Sequence, residues 1–219
     1  MVSTIRLDRD APGELFIWTD IDPAFEDDFN QWYEREHMQE RAAIPGFQWA
    51  RRYRSSSDGR RYLALYRTET VNVFTSPAYE QAFTSQTDWS LTNFERMVNT
   101  RRRVMTVSPL AGVGTGAALA LVALGSHENA QRAAAMAQSV QAEMDGVLAL
   151  RVLTPDAELS APLPSEDTEN RILEPVLIVD ATLEPVAAAA ARLFVDELDL
   201  PDGSSATFGL LWDLRSADL

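Results

Sequence analysis

The stretch Phe29-Asn-Gln-Trp-Tyr-Glu-Arg-Glu-His-Met-Gln-Glu-Arg-Ala-Ala-Ile-Pro-Gly-Phe-Gln-Trp-Ala-Arg-Arg-Tyr53 gathers aromatic rings, charges and one of the chain's two histidines. At 3.6 residues per turn, Phe25, Phe29, Trp32, Tyr33, Glu36 and His37 share one helical face, which begins apolar and ends in an ionisable pair. That face is expected to point inward. Pro45-Gly46 stops the helix, because proline disfavours the helical region for Ile44 and glycine permits a sharp turn. A strand from Phe47 to Tyr53 follows at once. A carboxylate and an imidazole on a buried helix face, directly before a strand rich in Arg and aromatics, predict a pocket rather than plain core.

Upstream, Gly13 to Asp20 reads as a strand, and Asp22-Pro23 supplies an N-cap and first helical residue, with Glu26, Asp27 and Asp28 complementing the helix dipole. Downstream, Phe47–Arg54 and Arg61–Tyr66 flank the turn-forming Ser55-Ser-Ser-Asp-Gly59 and predict a hairpin. Val71 to Val98 reads as one broken helix that starts near Ser76-Pro77, and Arg103 to Val107 closes a βαββαβ series. Ser108 to Gly116 reads as a glycine-rich connector, since it lacks the strand and helix that flank a dinucleotide loop.

The second half repeats the order: strand Ala117–Leu124, helix Glu128–Met144, turn Asp145-Gly146, strand Val147–Leu153, strand Pro175–Ala181, helix Pro185–Leu198, strand Ala206–Leu214. Asp145-Gly146 takes the place of Pro45-Gly46. The proline-rich, acidic loop Thr154–Thr168 is expected to be mobile. The expected architecture is therefore α+β, with ferredoxin-like repeats over residues 1–110 and 116–219. Each sheet carries helices on one face, so its other face must be covered. Packing the two antiparallel sheets together makes an intramolecular barrel. The first repeat, with Trp18, Trp32, Trp49 and Trp89, is expected to bear the site, and the alanine-rich second repeat to be a scaffold.

The order of helix, His37, Ile44-Pro45-Gly46-Phe47 and Tyr53 resembles the EthD-like and muconolactone-isomerase-like branches of the dimeric α+β barrel superfamily, over about residues 13 to 107. In that superfamily the sheet pairing normally joins two chains; members include lactone isomerases, polyketide cyclases, monooxygenases and haem enzymes. Tandem halves are also similar to the chlorite dismutase and dye-decolourising peroxidase group. That resemblance implies an axial histidine from the second half, where His127 at a helix start is poorly placed.

Composition narrows the function classes. The net charge of -14 repels phosphate backbones and anionic membranes, and excludes nucleic acid as the expected partner. No apolar run approaches the length of a membrane span, no apolar leader is visible, and a cytoplasmic location is expected. Zero cysteines exclude disulfides, thiolate catalysis and Cys-ligated metals, and two histidines without close spacing give no metal signature. No metal and no cofactor are expected. The arginines cluster in the first half, either as solvated strand faces or as an electropositive lining for an anionic substrate.

His37 is the leading catalytic candidate, because an imidazole with an ordinary pKa near 6.5 transfers protons both ways at neutral pH. The competing role is a buried structural histidine. Tyr33 and Arg41, four residues to either side, are the expected hydrogen-bond donor and oxyanion holder, with an ion pair to Glu36 or Asp145 as the other reading of Arg41. Glu40 is placed to orient the ring. Trp32, Glu36, Trp49 and Arg51 are expected to bind substrate, Trp49 by stacking on a flat aromatic ligand. His127 is expected at the surface. The leading expectation is a cofactor-independent isomerase, cyclase or lyase acting on a cyclic or aromatic carbonyl compound. The alternatives are a non-catalytic ligand-binding or assembly protein and a haem-dependent oxidoreductase; monomer and homodimer stay open.

Overall fold

The computed structural model describes residues 8–55 and 59–219. The tip of the expected hairpin and the N-terminal segment lie outside the described residues. Eight strands close into one barrel: β1 (Gly13–Ile21), β2 (Phe47–Arg54), β3 (Tyr62–Thr68), β4 (Met97–Gly112), β5 (Ala118–Ala123), β6 (Val147–Pro155), β7 (Val176–Ala181) and β8 (Ser205–Arg215). Their order is β1-β3-β2-β8-β5-β7-β6-β4, with every neighbouring pair antiparallel. Each repeat contributes four adjacent strands, and the seams β2–β8 and β4–β6 join the repeats. The closed barrel leaves no unpaired sheet edge.

Helices cover the outside. In the first repeat α1 (Glu26–Trp32), a π-turn (Tyr33–His37) and α2 (Met38–Ala42) form one continuous helical rod, followed after β3 by α3 (Pro77–Thr84) and α4 (Asp88–Arg96). The expected broken helix is thus two helices, each with a side-chain cap: Ser76 accepts from the Tyr79 amide and Thr87 from the Ser90 amide. In the second repeat α5 (His127–Glu143) and α6 (Glu184–Glu197) do the same job.

Strand alternation sorts the side chains into three layers. Phe16, Tyr53, Leu63, Leu65, Met105, Leu119, Leu121, Ile178 and Phe208 fill the barrel. Leu15, Ile17, Ala50, Ala64, Tyr66 and Val104 face the first repeat's helices together with Phe29, Trp32 and Met38. Ala118, Ala120, Val122, Leu150, Val152 and Val179 face α5 and α6, packed on Ala133, Ala137, Ala187, Ala190 and Phe194. The barrel also encloses charge. Arg151 binds Glu14 at 2.9 Å and also Asp180, Arg67 binds the same Glu14, and Arg51 reaches Asp213 at 2.6 Å. Of these pairs, Arg151–Glu14 and Arg51–Asp213 bridge the repeats.

Two expectations are corrected. The connector at Ser108–Gly116 is strand as far as Gly112, because β4 leaves β1 and pairs with β6 from Met105 onward. Pro109 is tolerated there at a bulge in the β4–β6 register. The loop expected to be mobile is pinned instead. Arg9 binds Asp156 at 2.8 Å, Ser160 accepts from the Val104 amide at 3.0 Å, and Arg102 donates to the carbonyls of Leu159 and Ala161 at 3.1 and 2.9 Å. Among the described residues no helix is long and apolar enough to cross a membrane.

Candidate functional site

The π-turn decides where the first repeat's polar side chains point. A π-turn widens the helix by one residue, and such bulges concentrate at functional sites. Here it places Tyr33 and His37 on the sheet side, both buried. Below them lies a cavity of about 280 Å³ between the sheet and the helices, lined by Leu15, Ile17 and Tyr66 from the strands, Phe94 from α4, and Tyr33, His37 and Arg41 from the rod. Leu163 and Pro164 also line it, from the second repeat's long loop, which Arg102 holds in place.

His37 sits in an aromatic box. Its ring centroid is 4.2 Å from Trp32, 5.2 Å from Tyr33, 5.9 Å from Phe94 and 6.2 Å from Tyr66. Its Nδ1 has no hydrogen-bond partner among the described residues. Burial, then the charges of Arg41 and Arg52, holds its pKa well below the ordinary imidazole value, so the ring is neutral at neutral pH. Burial likewise raises the Tyr33 and Tyr66 hydroxyls, so both are neutral donors. Arg41 is 6 % exposed, donates to the Ala82 carbonyl at 3.2 Å and lies 3.8 Å from Glu40, with its Nε unpartnered among the described residues. A neutral base, two phenols and a cation with a spare donor thus surround one apolar hollow. Such a site can take a proton from a small substrate and stabilise the resulting anion.

The expected site residues divide. His37, Tyr33 and Arg41 line the cavity together. Trp32 stands behind His37, with its indole N–H on Ser90 at 3.0 Å, and Glu36 accepts from Thr87 at 2.6 Å; both buttress the rod from behind. Trp49 and Arg51 do not meet His37. Strand alternation turns them into the barrel, where the Arg51 guanidinium stacks 4.0 Å from the Trp49 ring and binds Asp213, while their neighbour Arg52 faces the helices. Glu40 pairs with Arg41 instead of orienting the imidazole, and Arg41 meets neither Glu36 nor Asp145 in an ion pair among the described residues. His127 is exposed at the start of α5. Tyr66, Phe94, Leu163 and Pro164 were not foreseen as lining. The first could have been found from its inward place opposite Leu15; the last two come from a sequence-distant loop.

No protein-family model matches the chain, and no curated protein matches it in sequence. Solved structures do match in fold. An anthrone oxidase-like protein aligns over 94% of both chains at 11% identity with a TM-score of 0.60. A putative monooxygenase of Fusobacterium nucleatum aligns over 95% of this chain and 96% of its own at 10% identity and 0.55. A chlorite dismutase of Candidatus Nitrospira defluvii aligns over 94% and 92% at 9% identity and 0.54. This chain has the dimeric α+β barrel fold, built within one polypeptide.

The neighbours correct the functional expectation. They are described as oxidase-like, monooxygenase and chlorite dismutase, which overturns the reading of a cofactor-independent isomerase, cyclase or lyase. For haem, the donor set distinguishes the repeats. The second repeat has completely buried alanines between sheet and helices and its histidine at the surface, so it offers iron no buried imidazole. The first repeat offers the neutral imidazole of His37, its Nδ1 buried and without a partner among the described residues, at a cavity smaller than a porphyrin.

Proposed function

We propose that the protein is an oxidoreductase that oxidises a small, flat aromatic compound bound in the first repeat's cavity. The observation behind this reading is the buried, neutral His37, its Nδ1 without a hydrogen-bond partner among the described residues, lining an apolar hollow beside Arg41. His37 accepts a proton from an activated methylene or phenolic hydroxyl, and Arg41 and the Tyr33 and Tyr66 hydroxyls stabilise the anion. Dioxygen is the oxidant. For a benzylic methylene, the carbanion passes electrons to dioxygen and a carbon–oxygen bond forms; loss of the second methylene proton and cleavage of the oxygen–oxygen bond release water. One methylene and one dioxygen thus give one ketone carbonyl and one water, with His37 returning its proton to the departing oxygen. The full-length likeness to an anthrone oxidase-like protein supports anthrone as the first substrate to try. The EthD-like resemblance contributes fold alone to this reading.

A second reading, a haem-dependent oxidoreductase, is favoured by the same unpartnered nitrogen. His37 would then hold the iron, and haem would supply redox chemistry toward an oxygen-containing oxidant. Oxygen uptake with anthrone, read beside the visible spectrum, tests both. Stoichiometric uptake that is lost in His37→Ala, from colourless protein, is the expected result. A Soret band on hemin addition that His37→Ala abolishes moves the assignment to haem. Absence of both signals overturns the oxidoreductase reading.

A further inference from the structure

Outside the His37 cavity, one buried cation has no carboxylate in ion-pair contact among the described residues, Glu34 acting on it only at longer range. Arg52 is 3 % exposed, yet it forms no ion pair among the described residues. Its Nη2 donates to Asn30 Oδ1 at 2.6 Å, its Nε has no partner, and its guanidinium rests 4.1 Å from the Tyr33 ring, 4.7 Å from Tyr62 and 5.2 Å from Phe29. Burial holds its pKa below the ordinary arginine value. It lines a groove of about 550 Å³, separate from the His37 cavity, with Asn30, Glu34, Arg54, Tyr62, Leu211 and Trp212.

The groove follows the β2–β8 seam between the repeats, where Arg52 pairs in register with Trp212. The other seam shows what the barrel itself requires. Counted from the turn glycines Gly46 and Gly146, Arg52 corresponds to Val152, which pairs with Ser108. A valine serves the seam there, so neither a buried arginine nor a tryptophan is needed to close a barrel of this kind. An unpaired buried guanidinium is costly unless something compensates it. Arg51, one position earlier, has its carboxylate in Asp213, and Arg54 has Glu26 at 3.1 Å. Only Arg52 of these three neighbours lacks one.

We propose that this groove is a second binding site, for a small aromatic monocarboxylate whose carboxylate pairs with Arg52 and whose ring lies against Trp212 and Leu211. The planar guanidinium fork suits a carboxylate, and Glu34 at the rim opposes a second negative charge on the ligand.

Binding of 4-fluorobenzoate followed by fluorine NMR tests it, with 4-fluorotoluene as the uncharged control. Saturable binding of the acid and none of the toluene is expected. Affinity falls at least tenfold in Arg52→Gln and in Leu211→Glu, and stays within twofold in Arg41→Gln. Leu211 is about half exposed, so its variant puts a repelling charge at the rim without touching the core. No saturation, equal binding of the toluene, or a loss confined to Arg41→Gln would overturn the proposal.

Discussion

The two repeats share one backbone plan and differ in what they place beneath their helices. Gly46 and Gly146 both have φ of 88°, and each ends the first helical segment of its repeat. His37 and Ala137 stand the same number of residues ahead of those glycines, as do Tyr33 and Ala133. In the sheets, Tyr66 and Val179 occupy matching registers opposite Ala50 and Leu150. Each of His37, Tyr33 and Tyr66 therefore has an alanine or valine as its counterpart. The second repeat is filled by small side chains, and the first is held open by rings around a π-turn that α5 lacks. One fold thus supports a hollow and a solid half, and side-chain volume rather than topology makes the difference.

The largest expected effect separates the halves by activity. His37→Ala should lower kcat by about 10²–10⁴-fold, the usual contribution of a positioned proton acceptor, while Ala137→Ser should leave kcat unchanged; oxygen uptake reads both.

The next comparison concerns the twin arginines inside the barrel. Arg151→Met strands Asp180 and leaves Glu14 with Arg67 alone, both carboxylates being 0–1 % exposed, and should destabilise by ~3–5 kcal/mol in urea unfolding. Arg51→Met frees only Asp213, whose side chain is 29% exposed and can hydrate, so its cost should be clearly smaller. Equal costs would mean that the buried ion pairs contribute little to joining the repeats.

Overpacking the solid half is expected to cost less. Ala137→Leu should destabilise by ~1–3 kcal/mol, because Ala137 has no free surface and α5 already lies on the sheet. A stabilised protein would reveal a void there and break the comparison.

The smallest effect is in the pH dependence. The folded pKa of His37 lies below its unfolded value, so the unfolded chain binds more protons as pH falls. The stability associated with the neutral ring is present above about pH 6.5 and is lost as pH drops toward the lowered folded pKa. Urea midpoints from pH 7 to pH 5 should fall less steeply in His37→Gln than in the parent.

The repeat pattern was legible because two turn glycines and two βαββαβ hydrophobic series recur at one spacing, and the barrel followed from the need to cover both sheets. Tyr33, His37 and Arg41 were legible as a cluster because they lie four residues apart. Trp49 and Arg51 lie apart from His37 because period-2 alternation puts them on the face opposite Ala50 and Arg52, and the choice of face depends on which residue meets the helices. The lining contributed by Leu163 and Pro164 was not legible. It depends on Arg102 seizing two carbonyls far along the chain, and the proline-rich composition argued for mobility instead. The π-turn has no composition signal in Tyr33–His37 that an ordinary helix would lack.

The most direct test is a two-bond proton–nitrogen NMR spectrum of the imidazoles, recorded from pH 7 to pH 5 with and without an anthrone-like aromatic ligand. The account predicts that His37 stays neutral well below pH 6.5 and that the ligand shifts its Nδ1 resonance while leaving His127 unmoved. A His37 ring that titrates near pH 6.5 and ignores the ligand would contradict it.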